Sequence, residues 1–341
     1  MDGKTLQGPP GGVRRYVRGI LRGLESLDDA PPVEVLLPER HWRTASWTLL
    51  GLQRASARGF DVLHCPFYYT PPAPRCPVTV AIHDVLPLEH PEWFPRSWSS
   101  PIRWLMGPCA RRAATVVTCS RATAEAITGL LRVPAERVRV IPHAVDHALF
   151  APPSDAAVAS AREARAGGRP YVLQVGALEP RRGVDLAIRA VGALRSLFPD
   201  LVLLLAGPDR FTVPELSAAP PWVVRTGPVE DAELPALYAG AEAVLSPSRG
   251  EGFDLPLLEA LACGAAVVAS DIPVHVEHFA SAVRLFPSGD AEALAARLQE
   301  VLDDGDGSAK LRRRAIGLAG RFTWERSARE HLALWREILG R

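Results

Sequence analysis

Residues 243–271 constrain the fold of this chain more than any other stretch. Ala243-Val244-Leu245 is a short apolar run, and Ala265 to Ala269 is another. Both read as buried strands. Between them lies a turn, Arg249-Gly250-Glu251-Gly252-Phe253-Asp254, and then a helical segment. Pro256 suits the first helical turn, where a missing N–H costs nothing. Gly264 suits the helix stop. Strand, turn, helix, strand is a parallel βαβ unit, right-handed by default. The expected fold class is therefore α/β.

The turn also carries chemistry. A helix starting near Phe253 to Leu255 presents N–H groups and a dipole that favour an anion. Gly250 and Gly252 allow a ligand to approach the backbone closely. Glu251 sits in the turn and Glu259 one turn into the helix. Each carboxylate can accept two hydroxyls at once. One suits a ribose diol, the other a sugar, with a phosphate on the amides between them. That set of groups asks for a nucleotide sugar. The stretch resembles the Glu-x7-Glu signature of retaining, GT-B-fold glycosyltransferases of family four, the glycosyl transferases group 1. The resemblance implies that Glu251 contacts the transferred sugar and Glu259 the ribose, with Gly252, Phe253, Asp254 and Leu255 also at the donor. A bare Glu-x7-Glu is common by chance. The surrounding Leu255-Pro256, Glu259-Ala260 and Cys263-Gly264 make this one specific.

Other segments extend the resemblance. Tyr171 to Val175 reads as a strand, followed by Gly176-Ala177-Leu178-Glu179-Pro180-Arg181-Arg182-Gly183. This is similar to the family's "VGxxxPRKN" loop, with Arg182 in place of Lys. The basic pair is implied to hold the donor diphosphate, and guanidinium forks match phosphate oxygens. Ala177 stands where some relatives carry another Arg. In the first half, 33–37, 62–65 and 78–82 read as strands. The third runs into His83-Asp84 and then His90-Pro91-Glu92, similar to the family's "HD…HPE" segment. His83 thus sits at the carboxyl end of a strand, where ligands of open α/β sheets bind. The family's histidine there lies against the donor sugar. His64, at another strand end, reads as structural. Strands at 114–119 and 138–141 follow, with a helix at 121–131 between them capped by Ser120. The second of these strands ends in Pro142-His143-Ala144-Val145-Asp146. The family's "P-N-G-V-D" junction has Asn and Gly where this chain has His143 and Ala144. Further on, 201–206 and 223–225 read as strands, and 230–238, 291–302 and a last segment ending at Leu339 as helices.

The resemblance implies a GT-B architecture of two Rossmann-like domains facing each other across a cleft. Residues 1–150 would form the N-terminal, acceptor-side domain and 151–321 the nucleotide-sugar domain. Residues 322–341 would be a helix returning to the first domain. Family members open with an apolar strand, then a turn resembling Asp2-Gly3-Lys4. This chain begins at the turn, so the first strand is expected to be missing. Next comes Gly8-Pro9-Pro10-Gly11-Gly12-Val13 and an amphipathic helix with Val13, Val17, Ile20, Leu21 and Leu24 on its apolar face. In the family this loop approaches the donor phosphates or the acceptor, which makes Gly11 and Gly12 candidates; a plain helix-start turn is the alternative. Arg14, Arg18 and Arg22 recur every four residues beside Arg15. They read as a solvated face or as a surface for anionic lipid or polyphosphate. Trp93, Phe94, Trp98 and Trp104, with Arg96 and Arg103 among them, suit either a membrane- or acceptor-facing flap or a packed helix pair.

Composition narrows the partners. A chain of 341 residues has room for two domains, and a net charge of +1 gives no reason to expect nucleic acid. Five cysteines, an odd number without a Cys-x-x-Cys pair, argue against a disulfide framework and a zinc site and fit a reducing cytoplasm. No apolar run reaches the ~18 residues of a membrane span. A cytoplasmic protein is expected, with a peripheral contact at the inner membrane face as an option. The resemblance implies retaining transfer of a hexosyl group, mannosyl or glucosyl, from a UDP- or GDP-sugar to a hydroxyl of a saccharide or lipid-linked acceptor. His83, Glu251 and Arg182 would be catalytic, and Arg181, Arg182 and Glu259 would bind the donor. No metal ligands and no cofactor are expected. Two alternatives stay open. One is a non-catalytic nucleotide-sugar-binding subunit, motivated by the missing strand and Ala177. The other is a GT-B epimerase, which would release free sugar and nucleotide.

Overall fold

The computed structural model of the protein describes residues 1–8, 11–39 and 46–340. The chain divides into two units, Met1–Ala144 with Phe322–Arg341, and Val145–Arg321. Each is built on its own parallel sheet.

In the first unit, helix α1 (Gly12–Glu25) precedes strands β1 (Leu63–Cys65) and β2 (Val78–Ala81). Helix α2 (Arg96–Arg112), strand β3 (Thr115–Thr118), helix α3 (Arg121–Leu131) and strand β4 (Val138–Val140) follow. The strands lie in the order β1-β2-β3-β4, all parallel. The first three are buried along their whole length, as in a sheet covered on both faces. The segment expected as a strand at 33–37 contributes a single parallel bridge, Asp2 to Leu36. The chain's first residues extend the sheet there. The Asp2 amide donates to the His64 carbonyl at 2.9 Å, and the Leu36 amide to the Met1 carbonyl at 2.8 Å. A three-residue stub thus occupies the sheet edge where a strand was expected to be missing.

The C-terminal helix, Trp324–Ile338, belongs to this unit and packs on α1. Tyr16, Val17, Ile20 and Leu24 meet Ala328, Leu332 and Trp335 in one apolar cluster. Tyr16 replaces Val13 on the expected face because the buried stripe also includes Gly19 and Gly23. A Cβ on Gly23 would lie 2.3 Å from the Trp324 carbonyl oxygen. A chain of buried hydrogen bonds crosses the same interface. His331 Nδ1 donates to the Ser327 carbonyl at 2.7 Å, which leaves its Nε2 to accept from the Tyr16 hydroxyl at 2.8 Å. The Tyr16 oxygen accepts from His64 Nε2 at 2.9 Å, and His64 Nδ1 accepts from the Thr79 hydroxyl at 2.9 Å. Trp335 Nε1 completes the chain by donating to Thr79 Oγ1 at 3.3 Å. Burial holds His64 well below its ordinary value and His331 at about 4. Both rings are neutral in the fold.

The tryptophan-rich segment forms helix α2 despite Pro101 and Pro108 within it. Trp98 packs on the core, whereas Trp104 is 81% exposed. No helix among the described residues is long and apolar enough to cross a membrane.

The second unit opens with helix α4 (Asp155–Ala166). Strand β5 (Tyr171–Val175), helix α5 (Val184–Leu194), strand β6 (Val202–Ala206) and strand β7 (Val223–Gly227) follow. Then come helix α6 (Leu234–Gly240), strand β8 (Ala243–Ser246), helix α7 (Leu255–Ala262) and strand β9 (Val267–Ser270). Helix α8 (Pro273–Phe279), strand β10 (Arg284–Phe286), helix α9 (Ala291–Asp303) and helix α10 (Gly305–Ala319) complete it. The six strands run β10-β9-β8-β5-β6-β7, all parallel. Strand order reverses between β5 and β8. Neither β10 nor α10 is evident from the sequence. Helix α10 carries the run Arg312-Arg313-Arg314. Arg312 turns inward and donates to the carbonyls of Ala241, at 3.0 Å, and Gly264, at 3.3 Å.

Candidate functional site

The reversal between β5 and β8 is a topological switch point, the place where loops on either side of a parallel sheet diverge and open a crevice. The loops leaving these two strands hold most of the expected site residues. They are tied together by their backbones. The Arg249 amide donates to the Arg181 carbonyl at 2.8 Å. Gly183, at φ +65°, lies so close to Pro247 that a Cβ would meet its carbonyl oxygen at 2.1 Å. Only glycine satisfies both conditions. Arg249 then forks onto Asp185, with contacts of 2.9 and 2.6 Å, and donates to the Pro180 carbonyl at 2.9 Å.

Arg181 and Arg182 leave the first loop in a short 3₁₀ turn, Pro180–Arg182. Both reach Glu251 on the second loop. Arg181 Nη1 is 2.8 Å from Glu251 Oε2, and Arg182 Nη1 is 2.7 Å from Oε1. Ser248 adds a hydroxyl donor to Oε1 at 2.9 Å. Arg181 also donates to the Gly250 carbonyl at 3.0 Å and lies 2.6 Å from the buried Glu179 carboxylate. Arg182 reaches Asp254 Oδ1 at 3.3 Å. Its Nε is buried and has no hydrogen-bond partner among the described residues. Two guanidiniums are thus matched by three carboxylates, all enclosed.

Asp254 is the N-cap of α7 and sits at φ 80°, an uncommon region that aspartate tolerates better than most side chains. Its Oδ1 accepts from the Leu257 amide at 3.4 Å, and its Oδ2 takes the Ser246 hydroxyl and His275 Nε2, the latter at 3.1 Å. The other nitrogen of His275 faces the Ser270 carbonyl at 2.9 Å. Burial alone would raise the Asp254 carboxyl. The His275 hydrogen bond and the Arg182 charge outweigh it and hold the group well below the usual carboxylate range. The first turn of α7 is therefore capped from within. Phe253 is buried against Phe279, ring centroids 5.6 Å apart, while Gly252 and Leu255 are buried beside it. Glu259 lies deep on α7, only 2% exposed, and accepts the Tyr238 hydroxyl at 3.2 Å. Next to it, burial and then the Glu259 charge push the Cys263 thiol up to about 12.

His83 belongs to the other unit. It follows β2, and its Nε2 donates to the Pro66 carbonyl at 2.8 Å. Its Nδ1 then accepts from His143 Nε2 at 3.1 Å. The ring is enclosed by Tyr16 and His143, and that burial lowers it to about 4, against the raising effect of the Pro66 bond. The Cys119 thiol donates to the His83 carbonyl at 3.2 Å. Gly11 and Gly12 start α1 and are both exposed, with Gly11 in extended backbone; Pro9 and Pro10 of the same loop lie outside the described residues.

The sequence reading missed Glu179, Asp185, Ser246, Ser248, Arg249 and His275. Arg249 meets Asp185 64 positions away and His275 meets Asp254 21 positions away, whereas Ser248 and Glu179 meet Glu251 and Arg181 on their own loops. The one available signal was that several flank the recognised motifs.

A family model described as Glycosyl transferases group 1 matches residues 155–317, and one described as Glycosyltransferase Family 4 matches residues 10–149. The O-antigen chain mannosyltransferase B of Escherichia coli is 27% identical over 275 residues, 77% of this chain and 71% of that protein. The MMP alpha-(1->4)-mannosyltransferase of Mycolicibacterium hassiacum is 32% identical over 267 residues, 72% of this chain and 61% of that protein. Among solved structures, Anabaena Alr3699/HepE in complex with UDP and glucose superposes with a TM-score of 0.77 at 20% identity, covering 97% of each chain. Both units thus fall within one kind of enzyme. The chain belongs to the family 4 glycosyltransferases, the glycosyl transferases group 1, and has their GT-B fold.

Proposed function

We propose that this glycosyltransferase moves a hexosyl group from a nucleoside-diphosphate sugar to a hydroxyl acceptor, with retention at the anomeric carbon and without a divalent metal. The observation that carries the proposal is the convergence of Arg181, Arg182 and Glu251 at the switch point of the six-stranded sheet. Guanidiniums at a strand-end crevice suit a diphosphate, and the buried Arg182 Nε supplies one donor still to be used. On binding, the diphosphate takes the place of Glu251 on the two arginines. The freed carboxylate then accepts sugar hydroxyls. Glu259, held by Tyr238, is assigned to the ribose. As the glycosidic bond breaks, negative charge grows on the diphosphate, and fixed cations stabilise that growth more than they stabilise the intact donor. By the family resemblance His83 serves the donor sugar, and retention follows a front-face course in which the diphosphate takes the acceptor's proton. The mannosyltransferase relatives favour mannose, and the neighbour's complex with UDP and glucose keeps UDP-glucose in view.

A thermal-shift screen across UDP-, GDP- and ADP-sugars tests the proposal. A ligand at 100 times its Kd adds ~2.7 kcal/mol to the native state. One donor class is expected to raise Tm in the native chain and to lose that effect in Glu259→Ala. Absence of a shift with every nucleotide sugar would remove donor binding at this site. Product analysis then separates transfer to an acceptor from epimerase release of free sugar and from a binding subunit that turns nothing over.

A further inference from the structure

The sequence has no paired-cysteine motif, yet the first unit gathers His83, Cys119 and His143. One ligand atom from each lies within 4.8 Å of the other two. The three residues sit just past the carboxyl ends of β2, β3 and β4, which are neighbours in the sheet. Adjacent strands run about 4.8 Å apart, so the sheet itself sets the spacing of the group.

Three features point to a metal ion. First, His83 Nδ1 and His143 Nε2 are 3.1 Å apart. Two imidazole nitrogens on a tetrahedral zinc ion, each bonded at 2.0–2.1 Å, stand about 3.3 Å from each other. Second, His83 Nε2 donates to the Pro66 carbonyl at 2.8 Å. That bond fixes the tautomer with Nδ1 as the lone pair, and metal-bound histidines are oriented in the same way. Third, the group mixes two imidazoles with one thiol. Nitrogen and sulfur ligands select borderline and soft ions over magnesium or calcium. His143 stands where the resembled motif carries Asn, so the third ligand is a departure from that pattern.

We infer that His83, Cys119 and His143 form a binding site for one divalent ion of the zinc class. Cys119 would give up its thiol proton to the buffer and bind as thiolate, and His143 would present Nε2 with its proton moved to Nδ1. Three protein ligands leave a fourth position for water or an oxygen ligand. A consequence for activity rests on the transferase proposal. An ion on His83 Nδ1 removes that residue from the donor sugar, so zinc inhibits transfer.

The test uses the full chain, stripped of metal by chelator and then freed of the chelator. Co2+ is titrated as the probe and Zn2+ as the competitor. One equivalent of Co2+ is expected to bind with Kd at or below about 10 µM and to produce sulfur-to-cobalt charge-transfer absorption. Zn2+ should displace it. Cys119→Ala should abolish that absorption, and His143→Asn should weaken binding at least about tenfold. Cys119→Ser, closer in size, replaces Cys119→Ala if the latter fails to fold. Absence of stoichiometric binding, or equal affinity in the cysteine and His143 variants, overturns the site. Activity is read separately. Zinc should inhibit the native chain at concentrations near its Kd and spare Cys119→Ala, which turns over normally without metal. Binding without inhibition leaves the metal site standing and removes His83 from the transferase machinery.

Discussion

Arg182 is the residue whose chemistry is most exposed to test. It touches Glu251 and Asp254 and keeps its Nε in reserve. Ala177 leaves one fewer cation nearby to share the charge of a leaving diphosphate. Arg182→Ala is therefore expected to lower kcat by more than it raises KM, because the interaction strengthens as the bond breaks. Arg182→Lys keeps the charge, loses the fork, and should retain part of the rate. Steady-state kinetics on both variants decide it; a rise in KM alone would make Arg182 a binding contact only. The sequence singles out Arg181, Arg182, Glu251 and Glu259 because they lie in short contiguous strings, and the structure joins the first three. It does not single out Glu179 or His275. His275 acquires its role from Asp254 on another loop, which no local spacing encodes, and Glu179 acquires its role from burial beside Arg181. The sequence offered Asp254 as a candidate site residue and did not show the helix cap it forms.

At the scale of elements, the βαβ unit at 243–271 emerged as read because its apolar runs, Pro256 and Gly264 all agree. The strand at 33–37 failed because only the stub at Met1–Gly3 pairs with it. The α1 face was half legible, since periodicity finds Val17 and Ile20 but cannot weigh a buried tyrosine and two glycines against another helix. Gly23 makes this measurable. Alanine in a helix gains up to about 1 kcal/mol over glycine. Here its methyl meets the Trp324 carbonyl, and overpacking costs roughly 1–3 kcal/mol. Gly23→Ala should be net destabilising, read as a lower midpoint in urea for the first unit; a raised midpoint would show that the C-terminal helix shifts freely. The histidine chain across the same interface sets a pH response. His64 and His331 are held below their ordinary value near 6.5, so between that value and about 4 the unfolded chain binds more protons than the fold. Stability is full above pH 6.5 and falls as pH drops through this window, by on the order of 3 kcal/mol for His331 alone. His331→Gln should flatten the slope of unfolding free energy against pH by about one proton over that range. An unchanged slope would place the uptake elsewhere.

For the whole molecule, two parallel sheets and the return of the C-terminal helix to the first unit follow the α/β pattern that the sequence announces. On the proposed reading, in which Arg181 and Arg182 supply the cations for the diphosphate, turnover is expected to survive excess chelator. Loss of activity in chelator, restored by magnesium or manganese, would overturn that.

The arginine pair has a consequence for what the enzyme ignores. In the structure both guanidiniums already hold Glu251, so the pair comes with its own counter-ion. A simple anion that displaces the carboxylate gains two cations but strands a buried negative charge, and an unpaired buried charge costs several kcal/mol. Only a ligand that brings hydroxyls along with its phosphates can satisfy both sides of the exchange. The lock therefore requires two keys turned together. Inorganic pyrophosphate should bind far more weakly than the intact donor, and Glu251→Gln should narrow that gap by admitting pyrophosphate. Comparable affinities for the two ligands in the native chain would show that Glu251 guards nothing.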